Sequence, residues 1–321
     1  MNEKLLQIKN LIEKNEKIAL FSHIRPDGDS LSSSYGLALS LKNKYPEKII
    51  KVCASYDEFV TFCRFTDFDK EMFIEEIDSS WLVIIGDCAV SKNIRYFEQY
   101  KKAGWKICYD HHLNDIDFEV DVYWKESSYI ASAMQGYEIS RFLEVKHDKN
   151  SAFYSLIGIV TDSGNFTYSL SNPLAPKYFA SLLEYVDDVQ MDTFWKRLRF
   201  RTKRDLELDR ILCDQLSFKD KVAYVLLDKK IINDNPEFLT KYIANFPANI
   251  AGYPIWMVAH FDVKEDTKQE IWKLHFRSNG PNVQQVALQF NGGGHHRAAG
   301  AQILYEEDIF KVIDKLNQIG V

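Results

Sequence analysis

Short apolar runs alternate with segments of helical periodicity through the first half of the chain. The apolar runs predict buried strands at Ile18–Phe21, Ile49–Cys53, Leu82–Ile85 and Ile107–Tyr109. Apolar residues at helical spacing predict helices at Leu31–Lys44, Asn93–Lys102, Ala131–Phe142 and Ala152–Thr161. Alternation of strands and helices is typical of a parallel sheet that is covered on both faces, so we predict an α/β fold.

The second half of the chain has the pattern of a smaller α/β unit. Its predicted strands are Val222–Leu227, Trp256–His260, Ile271–Phe276 and Ala301–Leu304, and its predicted helices are Glu237–Asn245, Val283–Phe290 and Glu307–Ile319. The charge-rich segment Met191–Gln215 predicts a helical connector, whose basic run forms either a solvated face or a surface that attracts anions. We therefore predict a first domain at 1–190, a helical linker at 191–215 and a smaller domain at 216–321, facing each other across a cleft.

Composition narrows the classes of protein that this chain could belong to. The chain has 321 residues and a formal net charge of −6, which argues against binding long duplex nucleic acid through bulk charge. No apolar run is long enough for a membrane span, and the N-terminal segment lacks the features of a signal peptide. The five cysteines are scattered and form no C-x-x-C pair, which argues against a zinc–thiolate site. We expect a cytoplasmic protein in a reducing compartment.

Acidic residues and histidines follow three of the predicted strands. His23, Asp27 and Asp29 come after the first strand, Asp87 after the third, and Asp110-His111-His112 after the fourth. In open parallel sheets, ligands bind beyond the carboxyl ends of the strands, so these side chains are expected at one edge. Asp162 follows an apolar helical run, and Gly164 is expected to cap that helix.

The spacing of these residues favours a centre for divalent cations. Asp27 and Asp29 lie two positions apart around Gly28, so one turn could address two metals. Crowded carboxylates resist ionisation unless cations compensate them. Carboxylates with imidazoles and without thiolates suit Mn²⁺ or Mg²⁺. Each motif alone could be an ordinary turn or helix cap, but their common position after strands favours a shared site.

Six motifs, in order, resemble those of the DHH phosphoesterases with a DHHA1 domain. The first four are His23-x-x-Pro26-Asp27-x-Asp29-Ser30, Asp87-Cys88, Asp110-His111-His112 and Thr161-Asp162-Ser163-Gly164. The last two are Phe276-Arg277-Ser278 and the run from Gly292 to Gly300. The length and the form of the first motif are most similar to the nanoRNase/pAp-phosphatase group. Asn291 and Ser32 stand where glycine is frequent in the family, and neither departure removes an expected ligand.

The resemblance implies a role for each motif residue. His23, Asp27 and Asp87 would bind one metal, and Asp29, Asp87, His111 and Asp162 a second, so that Asp87 bridges. Asp110 would orient a ligand, and His112 would face the substrate phosphate. The substrate-binding residues expected in the smaller domain are Arg277, Ser278, Gly292, Gly293, Gly294, His295 and His296.

The implied activity is hydrolysis of phosphate esters with two divalent cations per chain. Both cations are expected to be Mn²⁺, and Mg²⁺ or another divalent cation is the alternative. The expected substrates are short oligonucleotides, cleaved to 5′-mononucleotides, and 3′-phosphoadenosine 5′-phosphate (pAp), cleaved to AMP. Alternatives are a phosphodiesterase for linear dinucleotides such as pApA, an exonuclease for longer strands, a metal pyrophosphatase, and a catalytically silent nucleotide-binding module. The sequence predicts no membrane partner and leaves the oligomeric state open, homo-oligomers included.

Overall fold

The chain forms two compact units, residues 1–200 and 201–321. A computed structural model describes residues 2–167, 173–239, 243–264 and 267–320. None of the helices in these ranges is long and apolar enough to cross a membrane.

The first unit is built on a six-stranded, fully parallel sheet. Its strands are β1 (Lys17–Phe21), β2 (Ile49–Cys53), β3 (Phe73–Ile74), β4 (Trp81–Gly86), β5 (Trp105–Asp110) and β6 (Val122–Lys125), in the spatial order β3-β2-β1-β4-β5-β6. Its helices are α1 (Asn2–Lys14), α2 (Gly28–Leu31), α3 (Leu37–Lys44), α4 (Tyr56–Phe62), α5 (Phe97–Lys102), α6 (Ser132–Phe142), α7 (Lys149–Asp162), α8 (Leu174–Leu183) and α9 (Asp188–Leu198). The strand order reverses between β1 and β4, which opens a crevice at the carboxyl ends of these strands.

Alternate residues of the strands enter two separate hydrophobic cores, one on each face of the sheet. In β1, Ile18 and Leu20 pack into one core, and Ala19 and Phe21 pack into the other. All four are fully buried. This arrangement confirms the predicted parallel sheet that is covered on both faces.

A π-helical stretch, Ser32–Gly36, joins α2 to α3. The helical region therefore runs from Gly28 to Lys44 and begins earlier than the predicted Leu31. At this stretch the Ser33 carbonyl accepts a hydrogen bond from the Tyr109 hydroxyl at 2.7 Å. The Ser32 hydroxyl donates to the Tyr154 carbonyl at 2.6 Å and accepts from the Gly158 amide at 2.7 Å. Ser32 thus inserts into the i→i−4 ladder of α7 and ties the two helices together.

The second unit has a six-stranded mixed sheet. Its strands are β7 (Leu216–Lys219), β8 (Val222–Leu227), β9 (Ile255–Val263), β10 (Glu270–Ser278), β11 (Gly293–His295) and β12 (Ala298–Ile303), in the order β11-β12-β10-β9-β8-β7. Only β8 and β9 pair in parallel among the strands of this sheet that the structure describes. The helices are α10 (Lys203–Asp214), α11 (Lys229–Asp234), α12 (Gln284–Gln289) and α13 (Asp308–Asn317). Each face of the sheet packs into a hydrophobic core of its own.

Three further predicted helices differ from the structure. The stretch predicted as Asn93–Lys102 is helical only at α5, after a short 3₁₀ turn at Ser91–Asn93. The predicted connector is two helices, α9 and α10, because Thr202 starts a new helix through a capping box with Asp205. For the predicted helix Glu237–Asn245, the structure has a 3₁₀ turn at Pro236–Leu239 and hydrogen-bonded turns from 243 onward, with 240–242 outside the described residues. The hydrogen bonds of these turns span three residues, as from the Phe246 amide to the Ile243 carbonyl, and not the four of an α-helix.

Candidate metal centre

Three neighbouring strands of the first sheet deliver the predicted acidic and histidine residues to one edge. His23 follows β1, Asp87 follows β4 directly, and Asp110 is the last residue of β5. These strands are adjacent in the order β1-β4-β5, so their carboxyl ends meet at the point where the strand order reverses. Asp162, at the end of α7, completes the group.

Two carboxylates after β1 fix the local backbone as well as facing the site. Asp27 is the N-cap of α2, and its Oδ1 accepts hydrogen bonds from the Asp29 and Ser30 amides, each at 3.0 Å. Gly28 packs so closely on α7 that a Cβ here would lie 2.2 Å from Thr161 Oγ1. Any larger residue would push the two acids away from α7.

Asp29 is fully buried and caps a helix that is distant in sequence. Its Oδ2 accepts from the Ser132 amide and its Oδ1 from the Ala133 amide, both at 2.7 Å. These amides belong to the first turn of α6, whose N-cap residue Ala131 offers no side-chain cap. The exposed N–H groups and the positive dipole end of a helix stabilise an anion, so the carboxylate of Asp29 replaces a local cap.

The carboxylate of Asp87 lies between two groups of possible ligands. Its Oδ2 is 3.5 Å from His23 Nε2, which is 3.8 Å from Asp27 Oδ1. Its Oδ1 is 3.6 Å from His111 Nε2. His111 Nε2 in turn lies 3.7 Å from Asp29 Oδ2 and 3.6 Å from Asp162 Oδ2. The geometry therefore brings together two clusters that could each hold an ion, His23–Asp27–Asp87 and Asp29–His111–Asp162, and the two oxygens of Asp87 face His23 and His111. A third possible group, Asp87–His111–His112, overlaps with both.

Both histidines of these clusters are oriented by backbone carbonyl groups. His23 Nδ1 lies 2.8 Å from the Ile24 carbonyl, and His111 Nδ1 lies 3.3 Å from the Tyr129 carbonyl. Because a carbonyl oxygen only accepts, Nδ1 carries the hydrogen in each ring. Nε2 of each ring then points into the acidic site, which is the usual orientation of a metal-ligating histidine. Burial alone would lower the pKa of His23, but its hydrogen bonds with Asp27 and Asp87 raise it to about 11, so a cation bound here would displace a proton from Nε2.

The residues fit divalent cations. His111 Nε2 is buried and has no hydrogen-bond partner among the described residues, although three carboxylate oxygens surround it. Burial, followed by the charge of Asp29, raises the pKa of Asp87 to about 8. Burial, followed by the charge of Asp27, raises the pKa of Asp29 to about 7. Burial and the neighbouring carboxylates also raise the pKa of Asp162. Cations would remove this excess of buried negative charge and satisfy the free imidazole nitrogen.

His112 is held by Asp110. Its Nδ1 lies 2.8 Å from Asp110 Oδ1, and its amide donates to the same oxygen at 3.1 Å. The hydrogen bond that the ring donates to Asp110 outweighs partial burial and raises the pKa of His112 to about 9. Because Asp110 already occupies Nδ1, the ring presents only Nε2 to its surroundings. His112 is therefore arranged to carry positive charge beside the clusters.

Asp87 adopts a backbone conformation that is unusual for a residue other than glycine, with φ of 64°. Its amide donates to the Tyr109 carbonyl at 3.0 Å, which ties it to β5. Aspartate tolerates this left-handed region better than most residues, although it still costs energy. The turn lets the carboxylate leave β4 sideways between the two histidines.

A cavity of about 570 Å³ opens over the site. Predicted residues in its wall are His23, Asp27, Asp87, Asp110, His112 and Asp162. The cavity is also lined by Lys92, Asn93 and Asn114, which belong to none of the sequence motifs. Lys92 and Asn93 lie in the loop after β4, and the rule that ligands bind beyond strand ends could have drawn attention to them.

In the second unit, the sheet brings part of the predicted substrate-binding set together. Arg277 of β10 pairs with Ala298 of β12, and Ala298 pairs with His295 of β11. Directly paired residues share a face, so Arg277 and His295 lie on the same face of the sheet. Gly293 and Gly294 precede His295 in β11, and Gly292 is packed against the carbonyl of Gly300.

The other two predicted substrate-binding residues lie elsewhere. Ser278 is buried, and its hydroxyl donates to the Pro281 carbonyl. His296 is exposed in the turn after β11, where its carbonyl accepts from the Val283 amide at 2.9 Å. The side-chain hydroxyl of Ser278 therefore stabilises the loop after β10.

Comparison with known proteins identifies the class of both units. Residues 17–159 match the model of the DHH family N-terminal domain, and residues 222–320 match the DHHA1 domain. The chain is 30% identical over 312 residues to the bifunctional oligoribonuclease and PAP phosphatase NrnA of Mycoplasma genitalium, covering 95% of this chain and 94% of that protein. It is 27% identical over 321 residues to the NrnA of Bacillus subtilis, covering 95% of each.

Among solved structures, an exopolyphosphatase-related protein from Bacteroides fragilis has the same fold. It superposes with a TM-score of 0.76 at 21% identity, covering 99% of this chain and 96% of that one. The present chain belongs to the DHH family and carries a DHHA1 domain. It is a phosphoesterase. The DHH phosphoesterases are metal-dependent, and this chain has acidic and histidine groups that could hold metal ions.

Proposed function

We propose that this chain hydrolyses short oligonucleotides to 5′-mononucleotides and pAp to AMP, with two divalent cations per chain. The observation that carries the two-metal proposal is the position of Asp87, with one oxygen 3.5 Å from His23 Nε2 and the other 3.6 Å from His111 Nε2. The substrates are supported by similarity over 95% of the chain to proteins named as bifunctional oligoribonucleases and PAP phosphatases.

In this proposal, His23, Asp27 and Asp87 hold the first cation, and Asp29, Asp87, His111 and Asp162 hold the second. The ligand set of carboxylates and imidazoles without thiolates favours Mn²⁺, with Mg²⁺ as the next choice. Two cations held here would lower the pKa of a water molecule and neutralise charge on the phosphoryl oxygens. The five cysteines are free, which supports a reducing, cytoplasmic setting.

The residues of the chain have distinct tasks in the reaction. Asp110 holds Nδ1 of His112, so that the charged ring can donate a hydrogen bond from Nε2 to a phosphoryl oxygen. Arg277 and His295, on one face of the second sheet, bind a phosphate of the nucleotide. The backbone of Gly292–Gly294 and the exposed His296 contribute to the same phosphate-binding site. The hydroxyl of Ser278 stabilises the loop after β10.

A substrate panel tests the proposed function. The panel contains pAp, pApA, RNA of two to five nucleotides, a longer single strand and pyrophosphate, each with Mn²⁺, with Mg²⁺ and with excess chelator. We expect fast Mn²⁺-dependent hydrolysis of pAp and the short RNAs, slower hydrolysis of the longer strand, and none in chelator. Activity on pyrophosphate alone, or on pApA alone, would replace the proposed substrate class. Full activity in chelator would remove the two cations from the proposal.

The role of the second unit has its own test. Replacing Arg277→Ala should lower kcat/KM for pAp about 10- to 150-fold, the effect of losing one charge-assisted hydrogen bond. Metal content, measured by atomic emission, should stay near that of the wild type because the metal ligands lie in the first unit. Lys315→Ala, which removes an exposed charge from α13, is the matched control. Unchanged kinetics for Arg277→Ala would leave the second unit without this role.

A further inference from the structure

Two histidines of the second sheet meet through their ring nitrogens, and neither belongs to the motifs discussed above. His260 lies in β9 and is 5% exposed, and His275 lies in β10 and is half-buried. Their Nε2 atoms are 3.3 Å apart, the ring centroids are 5.3 Å apart, and the ring planes differ by only 13°. Since the nitrogens are much closer than the centroids, the rings meet tip to tip, as in an N–H···N hydrogen bond.

The hydrogen bonds of His260 determine the tautomer of both rings. His260 Nδ1 lies 3.1 Å from the Phe261 carbonyl, which can only accept, so Nδ1 carries the hydrogen. His260 Nε2 is therefore the acceptor, and His275 Nε2 must be the donor. A neutral His275 then keeps an unprotonated Nδ1. Among the described residues, none hydrogen-bonds to this atom.

Both rings stay neutral near pH 7. Burial is the largest cause that lowers the pKa of His275 to about 4, followed by the neighbouring His260 and the charges of Arg277 and Lys273. Burial also lowers the pKa of His260. His275 Nδ1 is thus a hydrogen-bond acceptor on the face that also carries Arg277 and the ion pair of Lys273 with Asp262.

The surface beside His275 is open on the side away from His260. His275 pairs with Gly300 of β12, and Gly300 pairs with Gly293 of β11, so the next two positions of this row have no side chains. A Cβ added to Gly293 would meet nothing within 4 Å. The neighbouring row holds Arg277, Ala298 and His295 on the same face. A ligand phosphate bound by Arg277 would therefore place the rest of the nucleotide near the open surface formed by Gly293 and Gly300.

We propose that His275 Nδ1 accepts a hydrogen bond from an uncharged donor of the bound nucleotide, a sugar hydroxyl or an exocyclic amine. His260 is a positioning residue, because it fixes the tautomer that leaves Nδ1 free to accept. The pair would let the second unit distinguish a nucleotide from a bare phosphate ester. This inference rests on the proposed function for its substrate class, but the tautomer and the binding of nucleotides can be measured without turnover.

Kinetics with modified dinucleotides test the proposal. The substrates are ApA, its 2′-deoxy form and a form with purine in place of adenine, which lacks the exocyclic amine. Replacing His275→Leu should raise KM for ApA about 2- to 12-fold, the span of one neutral hydrogen bond, with little change in kcat. The wild type should prefer ApA to the analogue that lacks the donor, either the 2′-deoxy form or the purine form. His275→Leu should lose this preference. His275→Asn, which keeps an acceptor at the δ position, should retain part of that preference.

The outcomes separate the two proposals. An equal rise in KM for all three substrates, or preserved discrimination, would reduce His275 to a structural role and overturn the inference. If the wild type hydrolyses none of the dinucleotides, binding decides the inference, and failure to hydrolyse pAp as well removes the proposed function. In that case, AMP should shift the His275 ¹⁵N resonance more than the analogue that lacks the donor does. That analogue is 2′,3′-dideoxy-AMP if the donor is a sugar hydroxyl, and purine riboside 5′-monophosphate if the donor is the exocyclic amine. Equal shifts with all three would overturn it.

Long-range ¹H–¹⁵N spectra test the tautomer itself. At pH 7 the wild type should show His275 with a protonated Nε2 and an unprotonated Nδ1, and His260 with the opposite arrangement. His260→Leu should remove this preference in His275 and raise KM for ApA as His275→Leu does. Protonation of His275 Nδ1 in the wild type, or an unchanged His275 tautomer in His260→Leu, would overturn the positioning role of His260.

Discussion

Asp29 and Asp87 are both buried carboxylates of one site, but they differ in what else depends on them. Asp29 accepts two backbone hydrogen bonds at 2.7 Å from the first turn of α6. Asp87 has a hydroxyl of Ser132 at 3.4 Å and otherwise faces histidines and other acids. The first residue therefore supports the fold, whereas the second adds mainly repulsion when no cation is bound.

This difference predicts opposite effects on the stability of the metal-free protein. Asp29→Ala should lower the free energy of unfolding by about 1–3 kcal/mol, because it leaves buried amides of α6 without an acceptor. Asp87→Ala should leave the stability unchanged or raise it, because it removes a crowded buried charge. Urea denaturation in chelator measures both changes. Similar losses in the two variants would contradict the capping role of Asp29.

The same pair makes a prediction about activity. Asp87→Ala should abolish Mn²⁺-dependent hydrolysis of pAp, because neither cluster would keep its shared ligand. Asp115→Ala, which removes an exposed acid from the same unit, is the matched control and should keep activity. A folded Asp87→Ala protein that retains most of the wild-type activity would contradict the bridging assignment.

At the residue scale, the sequence predicted the acids and histidines that the structure brings together, because motif spacing carries that information. It did not predict that Lys92 lines the cavity, because that depends on the path of a loop. It also did not predict the contact between His260 and His275. Those two histidines are 15 residues apart and meet only because β9 and β10 pair in a particular register. Strand register is a tertiary property that the local pattern does not determine.

At the scale of elements, Ser32 holds the π-helical stretch against α7. Replacing Ser32→Ala should cost about 1–3 kcal/mol, because the Tyr154 carbonyl and the Gly158 amide lose their bridge while a methyl group still separates them. Ser32→Gly should cost less, because without a Cβ the ladder of α7 can close again. Thermal and urea denaturation compare the two variants. Equal costs would show that the hydroxyl is not a structural bridge.

The glycine run shows that neighbouring glycines are needed for different reasons. A Cβ at Gly292 would lie 2.1 Å from the Gly300 carbonyl, whereas a Cβ at Gly293 would meet nothing within 4 Å. Gly294 has φ of 132°, a conformation that side chains disfavour. Only Gly293 can therefore be changed without disturbing the sheet.

These glycines give a matched pair of variants. Gly292→Ala should lower the melting temperature, because β11 must move away from β12. Gly293→Ala should fold normally but raise KM for pAp, because a methyl group would stand on the surface proposed to receive the nucleotide. Circular dichroism and steady-state kinetics measure the two effects. Normal kinetics for a well-folded Gly293→Ala would exclude this surface from substrate binding.

Most strands and helices were predictable, since their apolar runs are long or strongly periodic. The features that were not predicted, such as β11 and the break between α9 and α10, have only a weak pattern of apolar residues in the local sequence. Strand β11 consists of Gly293, Gly294 and His295, and glycine has a low intrinsic preference for strands, so only pairing with β12 defines it. The break between α9 and α10 was visible in principle, since Thr202 and Asp205 have capping-box spacing, but the charge pattern continues across it.

The acidic net charge of the protein limits its substrates. With a net charge of −6, the chain lacks the excess of cations that holds a long polyanion. We expect RNA of two to five nucleotides to be hydrolysed faster per end than a strand of about 24 nucleotides, measured by gel analysis of labelled RNA. Raising the salt concentration should change KM for the short RNAs only weakly, because few phosphates are contacted. Faster hydrolysis of the long strand would contradict the preference.

The left-handed backbone of Asp87 has a consequence for how copies of this gene can diverge. Glutamate, the replacement that keeps the charge, is poorly suited to φ of 64° and would extend the carboxylate past its place between the two histidines. Asparagine and glycine suit that backbone without the charge, so they offer the easiest route to a folded descendant that no longer turns over substrate. Lineages that have lost the activity but kept the fold should therefore carry asparagine or glycine at this position more often than glutamate.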